Sequence, residues 1–92
     1  MEQINEVLKL LKLALGIKST AKDDYYITFL QSNASELEDS GAKLDLSKEK
    51  DMILLSDYCE WLIRHKETGE EMPKHLERRI NNRKIKGRAK GE

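Results

Sequence analysis

The apolar residues of this chain recur at the spacing of helices and nowhere in the strict alternation of strands, and that period decides its fold class. Ile4, Val7, Leu8, Leu11 and Leu15 follow the i, i+3, i+4 rule and line one stripe of a helix over about residues 3–15. Gly16 then offers the left-handed stop that a helix end favours. A second helix is expected from Thr20, because Thr20-Ala21-Lys22-Asp23 has the form of a capping box and Asp23 and Asp24 suit the positive end of a helix dipole. Tyr26, Phe29, Leu30, Ala34 and Leu37 form its stripe, and Ser40-Gly41 ends it. Ser47 is a good cap for a third helix over about 48–67, with Glu49 and Asp51 in its first turn and Gly69 closing it. Pro73 suits the start of a fourth helix reaching Lys84 or Ile85, since its missing N–H is no loss there. Leu44 and Leu46 read as plugs under the connection at 42–46, where a short extended piece also fits.

The expected fold is therefore all-α: a small bundle of about four helices with a short basic C-terminal tail. Residues 1–85 form the helical domain, and 86–92 form a flexible basic tail too polar to pack. At 92 residues the core is thin, which invites help from association. No apolar run approaches the roughly 20 residues of a membrane span. The polar, acidic opening Met1-Glu2-Gln3-Ile4-Asn5-Glu6 is unlike a secretory signal, and Cys59 is the lone cysteine. The expected compartment is a reducing cytoplasm.

Two helices carry more apolar surface than one core face needs. At about 100° per residue, Leu13 projects opposite Ile4, with Leu10 between them. On the third helix Met52, Leu55, Cys59, Leu62 and Ile63 make the main stripe, and Leu54, Tyr58 and Trp61 make a second patch beside it. Two readings stand: both helices are central and covered on two sides, or Leu10, Leu13, Leu54, Tyr58 and Trp61 meet another subunit, a setting that suits Trp and Tyr.

Charge is unevenly placed although the total is zero. Residues 1–73 carry a net of −6 and residues 74–92 a net of +6. An acidic body and a basic end favour head-to-tail packing of copies, or a basic arm on a polyanion.

No catalytic, cofactor-binding or metal-binding constellation is legible, so an enzyme is not expected. Each glycine ends a helix or lies in the tail, leaving no phosphate loop. Cys59 and His65 sit roughly 240° apart around one helix and diverge. Cys59 reads as a small core residue, and Cys59, His65 and His75 lack any zinc spacing. The pairs Asp23-Asp24, Glu38-Asp39 and Glu70-Glu71 diverge along helices or cap them, so they read as solvation rather than acid–base machinery.

Three segments carry a family likeness: 7–17 (Val7-Leu8-Lys9-Leu10-Leu11 through Ile17), then Asp23-Asp24-Tyr25-Tyr26-Ile27-Thr28-Phe29-Leu30, then Ala34-Ser35-Glu36-Leu37 with Gly41. Tyr58, Trp61 and Leu62 add to it, as do residues 67–73 with Leu76 and Arg79-Ile80-Asn81-Asn82-Arg83. In this order they resemble the head–tail connector family of tailed phages, over about residues 7–83. The resemblance implies a non-enzymatic subunit that forms a homo-oligomeric ring under the portal, extends the DNA channel and docks the tail. The implied partners are the portal protein and a tail-side completion protein, with non-specific contact to packaged DNA and none to membrane. The implied locations are the virion neck and, during assembly, the host bacterial cytoplasm. Family members use a C-terminal helix or arm for gripping. The residues placed there are Leu76, Arg79, Ile80, Asn82, Arg83, Lys84 and Lys86, expected to bind the portal. The alternative from the residues alone is a small helical DNA-binding regulator using the basic C-terminal helix, although its approach through Glu70-Glu71 is acidic.

Overall fold

The computed structural model describes residues 2–65 and 71–91, with side chains placed for 3–65 and 71–84. Four α-helices follow in order: α1 (Glu2–Leu15), α2 (Asp23–Asp39), α3 (Glu49–His65) and α4 (Lys74–Gly91), with no strand among the described residues. The protein is a small all-α bundle. The stop expected for the third helix at Gly69 lies outside the described residues.

The first two helices end as their glycines dictate. Gly16 has φ 72°, its N–H donates to the Leu13 carbonyl, and the Ile17 N–H reaches back to Lys12 at 2.9 Å. Gly41 has φ 104°, and the Ala42 N–H reaches back to Leu37 at 2.7 Å. Both pairs of bonds make the Schellman pattern, which occupies carbonyls that would otherwise be orphaned.

The start of α2 departs from the capping box. The helix begins at Asp23, its cap residue is Lys22, and no side chain caps it. The Ser19 hydroxyl instead accepts from the Ala21 N–H, and Asp23 is drawn sideways into an ion pair with Lys12 Nζ at 2.7 Å. A tertiary charge pair has displaced the local one. The pair also pins the end of α1 to the start of α2, so these helices form an antiparallel hairpin.

The third helix is the hub, packing along α1, α2 and α4, whereas among the described residues α4 packs along α3 alone. The core joins Ile4, Val7, Leu8 and Leu11 of α1, Leu30 and Leu37 of α2 with Ala42 just beyond its end, Leu54, Leu55 and Cys59 of α3, and Leu76 and Ile80 of α4. Tyr26, Phe29 and Ala34 are half-buried, while Asn33 lies within the α2 stripe and donates its amide to the Phe29 carbonyl. Arg64 donates to the Ala14 carbonyl at 2.8 Å, setting a cation at the negative end of α1.

α4 continues to Gly91, beyond the end expected near Ile85. Once its first half is docked, each further residue adds a backbone bond without a new nucleus, and Lys, Arg and Ala are good helix formers. Basic residues at the negative end of the dipole help as well.

Candidate partner-binding surface

α4 is built from its floor upward. The Pro73 carbonyl accepts from the Leu76 and Glu77 N–H groups, opening the helix. Leu76 and Ile80, one turn apart, are buried against α3. Flanking them, Arg79 Nη1 meets Asp57 Oδ2 at 2.8 Å, and Arg83 Nη2 meets Asp51 Oδ1. These pairs run antiparallel: the later arginine meets the earlier aspartate. Lys74, His75, Arg78, Asn81 and Asn82 remain exposed on the other side.

The two ion pairs differ in kind. Arg79 and Asp57 are more than a third exposed, so water weakens their attraction. The Asp51 side chain is only 4% exposed and Arg83 22%. Asp51 Oδ2 accepts the Asp45 backbone N–H at 2.8 Å. Its Oδ1 faces Arg83 as a close charge contact rather than a well-directed hydrogen bond.

The residues expected to grip a portal thus divide. Leu76 and Ile80 are committed to this chain's own core, and Arg79 and Arg83 to its own aspartates. Asn82 is exposed, and Lys84 is half-buried, its stem lying over Gly41 at the end of α2. The side chain of Lys86 lies outside the described residues. While α4 is docked, Asn82 is the one of these six described residues fully open to a partner.

The residues expected at a subunit interface divide too. Leu54 is 2% exposed, because α4 covers the side of α3 that carries Asp51, Leu54 and Asp57; for this residue the two-sided burial reading holds. Tyr58 and Trp61 are half-buried against the core, as is Leu10 on its helix. Leu13 stands out at 79% exposed. Tyr25 is exposed beside it in kind, with its ring stacked on Phe29 at 6.2 Å and edge-on to Tyr26 at 5.5 Å, and Ile53 is partly exposed. The α2 stripe read from sequence leaves Tyr25 outside it, consistent with this exposure.

Open depressions lie on either side of α2 among the described residues. One, of about 430 Å³, lies between α2 and α4, with Leu37, Ile80 and Met72 as apolar lining and Glu36, Glu77 and Lys84 at its rim. Tyr58 also lines it, and burial with the nearby Glu36 and Cys59 charges raises its phenol above the usual range. The other, of about 350 Å³, lies between the start of α1, α2 and the 42–48 connection, lined by Ile4, Ala34, Leu44 and Leu46.

Cys59 is sealed in the core, and burial pushes its thiol up to about 12, so it stays protonated at neutral pH. Among the described residues no group of three or more His, Cys, Asp or Glu converges on a metal position, and no helix is long and apolar enough to cross a membrane. Comparison with protein-family models, curated proteins and solved structures finds no match.

Proposed function

We propose that this chain is a structural assembly subunit of the head–tail connector type. In this reading copies form a ring under the portal of a tailed phage or prophage, extend the DNA channel and present the surface on which the tail-side protein docks. The virion neck is its place of work. The observation that carries the reading is α4: a helix that among the described residues packs along one neighbour, on a chain basic over residues 74–92 and acidic over residues 1–73. A closed ring needs two unlike surfaces on each copy, and this chain has them. The exposed Leu13 and Tyr25 add apolar surface that a lone monomer leaves in water.

Pairing of Arg79 and Arg83 with Asp57 and Asp51 takes two cations from either reading, whereas the acidic approach through Glu70-Glu71 counts against the DNA-binding alternative only. Size-exclusion chromatography of the chain with isolated portal rings tests the proposal. Co-elution is expected; failure to associate at every salt concentration contradicts it. Tight duplex-DNA binding that weakens steeply with salt would instead support the regulator.

A further inference from the structure

The connection between α2 and α3 and the middle of α4 are far apart in sequence, yet one carboxylate holds both. Asp51, in the first turn of α3 and 3% exposed, takes the Asp45 N–H on one oxygen and the Arg83 guanidinium on the other. Asp45 in turn shapes the start of α3, its own Oδ1 accepting the Ser47 N–H at 3.0 Å and the Ser47 hydroxyl. The two neighbours of Asp45, Leu44 and Leu46, line the apolar groove beside Ile4 and Ala34.

We infer that Asp51 couples the docking of α4 to the shape of this groove, so that the helix and the 42–48 connection loosen or tighten together. With Arg83 in place the buried carboxylate is charge-compensated and can remain buried. If α4 leaves, Asp51 loses both its cation and the cover that α4 gives it, and the carboxylate turns outward to be hydrated. That motion drops the Asp45 N–H. Leu44 and Leu46 are then free to shift, and the groove changes. By reciprocity, a ligand that fixes the groove in its present form must favour docked α4 by the same factor.

Residue-resolved amide exchange on the full chain separates this coupling from general loosening. In Arg83→Gln, exchange is expected to rise roughly tenfold or more at α4 amides and at Asp45 together, as loss of a charge-assisted contact implies. The core amides of Leu11 and Leu55 should hold. Asp51→Asn keeps an oxygen for the Asp45 N–H but leaves no buried charge. It should speed exchange in α4 while Asp45 stays protected. Arg83→Gln that frees α4 alone, or Asp51→Asn that loosens both segments equally, overturns the inference. If Arg83→Gln unfolds the whole chain, the milder Arg83→Lys is read by the same criterion: a rise in α4 exchange without a rise at Asp45 overturns the coupling.

Discussion

The three-helix body and α4 are held by different forces. In the body, α1, α2 and α3 each bury an apolar stripe against two partners, and glycine-terminated turns join or close the first two helices. Its stability comes mainly from area removed from water. Among its described side chains, α4 buries Leu76 and Ile80 and adds two arginine–aspartate pairs to α3. The contrast teaches that one small chain can divide labour: a core that resists opening, and a helix held by a narrow apolar strip and two ion pairs, the latter open to competition by other charged surfaces.

Substitutions should rank accordingly. Leu55→Ala, at a fully buried position on the hub, should destabilise the whole molecule by roughly 2–5 kcal/mol in chemical denaturation. A loss confined to α4 would break the distinction between the two regions. Arg83→Ala should come next, at roughly 1–3 kcal/mol, because it leaves the nearly buried Asp51 carboxylate without its cation. Arg79→Ala removes a pair that water already screens, so less than about 1 kcal/mol is expected, shrinking further in high salt. Leu13→Ser should change monomer stability least, within about 0.5 kcal/mol, while weakening association if that exposed side chain is an interface.

A pH series sharpens the same comparison. The folded Cys59 thiol titrates near 12 rather than at its ordinary 9.0. Its contribution is therefore fully present below pH 9 and is lost as pH climbs toward 12, because the unfolded chain gives up that proton first. Tyr58, also raised, acts in the same direction at still higher pH than an ordinary phenol. Cys59 lies among the body's core residues, so its alkylation by iodoacetamide should follow opening of the body and not undocking of α4.

Much of the body was legible from sequence. The α1 stripe gave Ile4, Val7, Leu8 and Leu11 as core, Gly16 and Gly41 gave both left-handed stops, and Leu13 was placed opposite the stripe. These follow from local period and backbone sterics alone. What failed was whatever depended on a distant partner. Asp23 looked like half of a capping box until Lys12 claimed it. Asp51 read as a first-turn residue behind the Ser47 cap, and nothing in its own neighbourhood indicates that Arg83 and the Asp45 N–H converge on it. For Leu54 the sequence left burial and interface both open, because the helix that covers it starts twenty residues later. The candidate surface suffered most for this reason: Leu76, Arg79, Ile80 and Arg83 were correctly grouped on one helix, but their side chains face inward or pair with α3.

If the chain acts, as proposed, by mating its basic C-terminal end and spare apolar surface with other subunits, sedimentation velocity of residues 1–83 against the full chain, each mixed with portal rings, will show it. Equal helicity per residue in both, with assembly strong in the full chain and lost or greatly weakened in the shortened one, is the expected result. Assembly unchanged by removal of residues 84–92 would contradict it.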